Sequence, residues 1–288
     1  MHNLTTEQVT FDSAGETLAG VLHLPASPRA DRLPAVVVAG AWGTVKEQMA
    51  TGYAREMAAR GFAALAFDFR SWGESGGSPR SMEDPLAKAA DIAAAAAFLA
   101  DRNDIDPDAI GGLGICAGSA YLATAATHSD LIKSVALIAP ALPSRETTMT
   151  TLGGQPGVDA LLAMAHEAEA AGGEQLVPAV EPPGGDYYGN PDRGQIPEWD
   201  NTFNPMSWLS WLEYDAQASA ARLTQPLSIV HSTSAASPES IPEFIAKVAG
   251  PVKELWLDDV TQFDFYDQPA PMKIASDTAA HHFERTLR

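Results

Sequence analysis

The chain of 288 residues holds one cysteine, which lies in the motif Gly114-Ile115-Cys116-Ala117-Gly118. A nucleophile on a strained strand-to-helix turn needs small neighbours, because flanking side chains would collide in so tight a bend. Gly114 and Gly118 meet that need, and a helix beginning after Cys116 would direct its positive end at the sulfur and favour the thiolate. The spacing therefore predicts a cysteine nucleophile, with a buried structural cysteine as the alternative.

The segments around this motif alternate between short apolar runs and helical patterns. Strands are predicted at 8–12, 17–24, 34–39, 62–67, 110–115, 134–139, 226–230 and 251–257. Helices are predicted at 46–60, 82–102, 117–127, 238–248 and 271–287. This alternation predicts an α/β fold: a mostly parallel, eight-stranded sheet with an antiparallel opening pair and helices on both faces.

The stretch 141–213 breaks the alternation and is rich in Gly, Pro and aromatic residues. A structureless loop of that length is uncommon in a compact domain, so we expect an inserted cap with helices at 161–171 and 205–212. The predicted organisation is one core domain, formed by 1–140 and 214–288, and a cap formed by 141–213. Such a cap either packs for stability or covers a substrate site.

The composition excludes several classes of partner. With 18 Lys+Arg against 37 Asp+Glu, the formal net charge of -19 would repel nucleic acid. Neither a secretory signal nor an apolar run of membrane-spanning length is evident, so we expect no membrane partner. A single cysteine cannot form an internal disulfide, which favours the reducing cytoplasm. No metal or cofactor is expected, and the composition leaves a homo-oligomer open.

Several segments, taken in chain order, carry a resemblance to a known superfamily. They are 36–38, 40–48 (beginning Gly40-Ala41-Trp42-Gly43), 68–77 (beginning Asp68-Phe69-Arg70), 114–118, 208–215, 230–232 and 260–267. Together they resemble the α/β-hydrolase superfamily and, within it, the branch of dienelactone-hydrolase-like and polyketide-transferase-like proteins. The resemblance covers nearly the whole chain, and the combination is more specific than any one segment.

This resemblance implies an acyl-transfer or hydrolytic mechanism. Cys116 would attack a carbonyl carbon of the substrate. The backbone N–H of Ala117, with that of Ala41 or Trp42, would form the oxyanion hole.

The chain departs from the pattern of the superfamily at the other two positions of a catalytic triad. The stretch 231–238, where the acid is expected, holds no carboxylate, and Gln262 occupies the histidine position. Glutamine forms hydrogen bonds but cannot shuttle a proton, so general-base activation is lost there. Hydrolysis of an acyl-enzyme would be slow, which favours transfer. His231, at the carboxyl end of the seventh predicted strand, is a candidate proton carrier or a structural histidine.

Other polar and aromatic side chains are candidates for contact with a substrate. Asp264 and Tyr266 follow Gln262 and would line the site, or would serve as cap and core residues. Aromatic residues of the predicted cap would cover a hydrophobic small molecule, or would pack the cap onto the core: Tyr187, Tyr188, Trp199, Phe203, Trp208, Trp211 and the adjacent Tyr214.

Three functions follow, in order of preference. The first is a cysteine-dependent acyl-transfer enzyme, a hydrolase or acyltransferase acting on a hydrophobic ester, thioester or lactone. The second is a lyase, isomerase or cyclase that uses the same pocket without covalent catalysis. The third is a non-catalytic ligand-binding protein of the same fold.

Overall fold

The computed structural model describes residues 4–27, 30–181 and 185–287. The strands in these ranges are β1 (Thr5–Ser13), β2 (Glu16–Leu24), β3 (Leu33–Ala39), β4 (Ala63–Phe67), β5 (Ile105–Ile115), β6 (Ile132–Ile138), β7 (Val177–Pro178), β8 (Thr202–Phe203), β9 (Leu227–Ser232) and β10 (Val252–Leu257). All but β7 and β8, which pair with each other, form a sheet in the order β1-β2-β4-β3-β5-β6-β9-β10.

The sheet is antiparallel at one edge and parallel across the rest. β1 pairs antiparallel with β2, and β2 pairs antiparallel with β4. From β4 through β3, β5, β6, β9 and β10 every pairing is parallel. The predicted mostly parallel, eight-stranded sheet is therefore confirmed. Because parallel strands present their carboxyl ends at one edge, the loops that follow β3, β5, β6, β9 and β10 meet there.

Helices cover both faces of the sheet, and further helices lie in the segment 141–213. Their bounds are α1 (Met49–Ala59), α2 (Pro85–Ala100), α3 (Ala117–Ala126), α4 (Arg145–Thr151), α5 (Gly154–Ala170), α6 (Gly185–Tyr188), α7 (Ser207–Trp211), α8 (Ser240–Ile245), α9 (Asp264–Asp267) and α10 (Pro269–Thr286). Within the described ranges, none of these helices has the length and hydropathy of a membrane span.

The boundaries of α2 differ from the predicted helix at 82–102 for a physical reason. Asp84 is the N-cap, and its carboxylate accepts hydrogen bonds from the backbone N–H groups of Leu86 and Ala87. Pro85 then takes the first helical position, where its missing N–H costs nothing. Glu83 consequently lies outside the helix and is free to turn inward.

The core consists of two apolar layers, one on each face of the sheet. Glycines in β5 allow α3 to approach the sheet closely. A Cβ on Gly112 would overlap the side chain of Leu122, and a Cβ on Gly114 would lie 2.6 Å from the Cα of Ser119. This close packing sets the position of the turn between β5 and α3.

The segment 141–213 contains α4 to α7 and the β7–β8 pair. Helix α5 overlaps the helix predicted at 161–171 but begins earlier, and α7 lies inside the one predicted at 205–212. The division into a core and a cap at these boundaries stays a prediction.

Candidate active site

Cys116 lies on a sharp turn between β5 and α3. Its backbone adopts φ 53° and ψ -124°, a left-handed conformation that is strained for a residue with a side chain. A Cβ on Gly118 would overlap the carbonyl oxygen of Gly40, so only glycine fits there. The backbone N–H of Cys116 donates to Ile138 O (3.1 Å), and the N–H of Ala141 donates to Cys116 O (3.1 Å). The predicted strand–turn–helix geometry is present.

The half-buried Cys116 thiol faces three hydrogen-bond donors. Burial raises its pKa, and hydrogen bonding from the Tyr266 hydroxyl and the backbone N–H groups of Ala117 and Trp42 opposes that rise. The net effect is a raised pKa, so the resting group at neutral pH is the thiol. The Ala117 N–H at the start of the helix favours the thiolate, as expected, but loss of solvation outweighs it.

The loop after β3 supplies the second backbone donor. Of the two residues predicted to provide it, Trp42 is the one whose N–H faces the sulfur. Ala41 is buried, and its carbonyl accepts a hydrogen bond from Thr44 Oγ1 at 2.8 Å. The N–H groups of Trp42 and Ala117 thus have the arrangement of an oxyanion hole.

Two side chains hold this loop from opposite sides at Gly43. The backbone N–H of Gly43 donates to Glu83 Oε2 at 3.0 Å. Its carbonyl accepts a hydrogen bond from Trp199 Nε1 at 2.7 Å. Since Trp42 adjoins Gly43, these two contacts position the Trp42 N–H.

Behind this loop lies a buried ion pair that sequence reasoning did not identify. Lys88 Nζ lies 2.6 Å from Glu83 Oε2, and both side chains are almost inaccessible to solvent. Tyr121 donates a hydrogen bond to Glu83 Oε1 at 2.7 Å, and Lys88 Nζ lies 4.6 Å from the ring centroid of Phe69. Burial lowers the pKa of Lys88, and the Glu83 carboxylate opposes that shift. The sequence feature that could have indicated this buried pair is a single lysine within an otherwise Ala-rich helix.

Gln262, predicted to occupy the histidine position, connects three segments. Its Nε2 donates to Ala139 O at 2.9 Å, and its Oε1 accepts from the backbone N–H of Ala236 at 3.0 Å. The same Nε2 lies 3.3 Å from the Tyr266 hydroxyl. Gln262 therefore contacts Tyr266, which in turn lies beside the Cys116 thiol.

Tyr266 lies between Gln262 and the thiol and is buried. Its ring makes edge contacts with Tyr187 and Phe263, at centroid distances of 5.1 and 5.6 Å. Burial raises its pKa well above the usual value, and the nearby Cys116 adds to that rise. Tyr266 is thus a neutral phenol, and its hydroxyl is available to donate and accept.

His231 does not contact the thiol. Its side chain is fully buried in β9, and its ring makes an edge contact with Trp256 at 5.3 Å. Within the described residues neither ring nitrogen makes a hydrogen bond of normal geometry. Burial lowers its pKa to about 4, although the backbone of Ala236 partly offsets this. The contacts of His231 are those of a structural histidine, and they lend no support to the predicted proton-carrying role.

A small apolar cavity of about 100 Å³ adjoins the turn at Cys116. Its lining includes Ala117, Tyr121, Pro143, Trp211 and Tyr214. Of the predicted aromatic residues, Trp211 and Tyr214 therefore border this cavity. The cavity is suited to a short apolar group.

The other aromatic residues predicted to contact a substrate pack mainly against one another. Tyr187 is buried against Tyr266. Burial raises the pKa of Tyr188 well above its usual value, and the nearby Cys116 adds to that rise. Trp208 packs on the rings of Phe203 and Trp211, at 5.3 and 5.8 Å.

Asp264 and the other acidic side chains do not form a metal site near the thiol. Asp264 Oδ2 accepts hydrogen bonds from the N–H and hydroxyl of Thr261, so it caps a turn and does not line the site. Across the ranges that the structure covers, no group of three or more His, Cys, Asp or Glu is arranged to hold a metal ion.

Comparison with known proteins finds a matching family and a relative that covers most of the chain. The pattern of the alpha/beta hydrolase family matches residues 35–273. The uncharacterized protein PA2218 of Pseudomonas aeruginosa is 31% identical over 299 residues, which cover 91% of this chain and 76% of that protein. The crystal structure of the hypothetical protein PA2218 superposes with a TM-score of 0.83 at 27% identity, covering 99% of this chain and 94% of that one.

Shorter matches join the chain to proteins with more specific names. The polyketide transferase claH of Penicillium crustosum is 35% identical over 122 residues, covering 41% of this chain and 40% of that protein. The thiohydrolase aneE of Aspergillus aculeatus is 34% identical over 107 residues, covering 37% and 34%. The resemblance predicted from the residues is confirmed, and the chain belongs to the α/β-hydrolase family.

Proposed function

We propose that this protein is a cysteine-dependent acyl-transfer enzyme that acts on a hydrophobic ester, thioester or lactone. The observation that carries the proposal is the Cys116 thiol on its strained turn, faced by the backbone N–H groups of Ala117 and Trp42. A substrate carbonyl placed against the sulfur would direct its oxygen at these two donors. The free thiol suits a reducing compartment, so a cytoplasmic location is part of the proposal.

The first half-reaction forms an acyl-cysteine. The Cys116 sulfur attacks the carbonyl carbon, and the two N–H groups stabilise the negative charge that develops on the carbonyl oxygen. The bond to the leaving group then breaks; the Cys116 thiol has lost one proton, and the leaving alcohol or thiol departs with one proton gained. With a thioester one thiol replaces another, so the two sides of the reaction are close in energy.

The second half-reaction favours transfer over hydrolysis. Water is a weak nucleophile that needs a base, and Gln262 at the histidine position cannot accept its proton. An acyl-cysteine would persist until an acceptor with better access or geometry, such as a substrate hydroxyl, takes the acyl group. Relatives named polyketide transferase and thiohydrolase support acyl chemistry for the family branch.

The test is to incubate the protein with an activated thioester of a short apolar acid and to measure the intact mass. We expect one acyl adduct, located on Cys116 by peptide mapping, and no adduct in Cys116→Ala. Turnover that survives Cys116→Ala would contradict the proposal and favour a lyase, isomerase or cyclase. Saturable binding of the ester without adduct or turnover would favour a binding protein.

A further inference from the structure

We propose that Tyr266 is the proton relay of this reaction: its hydroxyl accepts the Cys116 proton and donates its own to the leaving group, and Gln262 orients it. This inference rests on the proposed acyl-transfer function. It assigns to a phenol the proton transfer for which the chain has no histidine.

The backbone around the end of β6 brings the two groups together. Cys116 N–H donates to Ile138 O, and the next carbonyl along, that of Ala139, accepts from Gln262 Nε2. Ala139 adopts a left-handed φ of 42°, which turns its carbonyl away from the regular strand direction. Gln262 Nε2 in turn lies 3.3 Å from the Tyr266 hydroxyl. Cys116 is therefore hydrogen-bonded to Ile138, and Tyr266 is linked through Gln262 to the next residue, Ala139.

Tyr266 is held rigidly in that position. Tyr53 donates a hydrogen bond to the carbonyl of Phe265 at 2.7 Å, which anchors the backbone of α9 beside the phenol. The ring is 3% exposed and packs edge-on against Tyr187 and Phe263, which stack on each other at a centroid distance of 6.0 Å. This packing fixes the phenol ring, and the phenol hydroxyl and the Cys116 thiol are hydrogen-bond partners, which is the contact a proton transfer between them requires.

A phenol in this environment can move protons without becoming charged. As the Cys116 sulfur bonds to the carbonyl carbon, its proton passes to the Tyr266 oxygen, and the phenol proton passes to the departing oxygen or sulfur. The phenol is neutral before and after. In the second half-reaction the same exchange runs from the acceptor hydroxyl, through Tyr266, to the departing Cys116 sulfur. Burial disfavours the phenolate, so the concerted exchange is the route that this site permits.

The test compares two leaving groups on the same acyl group in Tyr266→Phe. A nitrophenyl ester releases a stable anion, whereas an ethyl ester must receive a proton as its alcohol leaves. We expect Tyr266→Phe to slow Cys116 acylation by the ethyl ester about 100-fold and by the nitrophenyl ester less than tenfold. Tyr187→Phe, which removes the hydroxyl of an adjacent ring, is the matched control and should affect both esters equally.

Equal losses on both esters in Tyr266→Phe would overturn the relay and leave a structural role. An independent measurement uses the unmodified protein: acylation by the ethyl ester in mixtures of H₂O and D₂O should report two protons in motion, and a single moving proton would also overturn it. If the unmodified protein forms no Cys116 adduct with either ester, the proposed function itself fails. The two failures are therefore distinguishable.

Discussion

One side of the candidate active site is built from backbone groups and the other from side chains. On the elbow side, Cys116, Ala117 and Trp42 contribute backbone N–H groups and a strained φ. On the relay side, Gln262 and Tyr266 contribute side chains bonded to segments more than 20 residues away in the chain. The elbow side presents two backbone N–H groups to the sulfur, whereas the relay side holds two neutral side chains, Gln262 and Tyr266.

This difference shows that the two tasks of the site are separable. Stabilising charge on a carbonyl oxygen depends on backbone geometry that glycines and buried contacts maintain. Moving protons depends on a few side chains that substitution can replace. The buried charge of the site also lies on the elbow side, as the Glu83–Lys88 pair behind the oxyanion loop. Substitutions on each side in turn separate the contributions of the two sides.

The largest expected effect is on the elbow side, in Glu83→Ala. This change leaves the Lys88 ammonium buried without its partner and should lower the free energy of unfolding by about 3–5 kcal/mol. Glu74→Ala is the control, because Glu74 is exposed and its partner Lys46 keeps the buried Asp68. Urea denaturation measures both. Equal losses in the two variants would mean that the buried pair does not support the loop.

Next in size is the acid sensitivity that His231 confers behind the relay side. Its pKa is about 4 when folded and about 6.5 when unfolded, so above pH 6.5 neither state is protonated. As the pH falls from 6.5 to 4, the unfolded state gains a proton that the folded state refuses, and stability falls by about 3 kcal/mol.

The measurement is urea denaturation between pH 4 and 7, with His231→Leu compared against the unmodified protein. The variant should lose less stability on acidification. His166→Leu, which changes an exposed histidine, should keep the original pH dependence. An unchanged slope in His231→Leu would contradict the lowered pKa of this buried histidine.

The pH dependence of Cys116 alkylation by iodoacetamide measures whether burial or the hydrogen-bond donors have the larger effect on the pKa of the thiol. Because burial raises the pKa of Cys116 above the ordinary value, the rate should follow the thiolate fraction and should still be rising at pH 9. Cys116 in the urea-unfolded protein, measured in parallel, should begin to level off by pH 9. A plateau for Cys116 by pH 8 would show that the donors outweigh burial.

The smallest expected effect comes from Trp199→Phe. This change removes the hydrogen bond to the Gly43 carbonyl and keeps most of the ring packing, so stability should fall by about 1 kcal/mol. Acylation of Cys116 should slow as well, because the Trp42 N–H loses one of its two supports. Trp256→Phe is the control, since its N–H donates to Glu254 at the surface. Unchanged acylation in Trp199→Phe would mean that Glu83 alone positions the loop.

Much of the elbow side was predictable because its cause is local in the chain. Two glycines spaced around Cys116, after a buried strand and before a helix, specify a tight turn. Glu83 and Lys88 were not predictable in this way. Glu83 fell inside a predicted helix, and only the cap at Asp84 releases it toward Gly43.

The relay side could be located from the sequence but not interpreted. Gln262 was placed in the histidine position, yet its partners Ala139 and Ala236 come from other loops that meet only at the end of the sheet. His231 shows the same limit: its position on the strand was predictable, but its full burial was not.

The alternation of strands and helices, the antiparallel opening pair and the turn at Cys116 were determined by the sequence itself, because each depends on neighbouring residues. The tertiary structure alone decided the protonation state of the thiol and the identity of its partners. Desolvation of the sulfur depends on what packs around it, and Trp42 and Tyr266 reach it from distant parts of the chain. The sequence locates the helix terminus beside Cys116, but it does not show that burial of the sulfur has the larger effect on the pKa of the thiol.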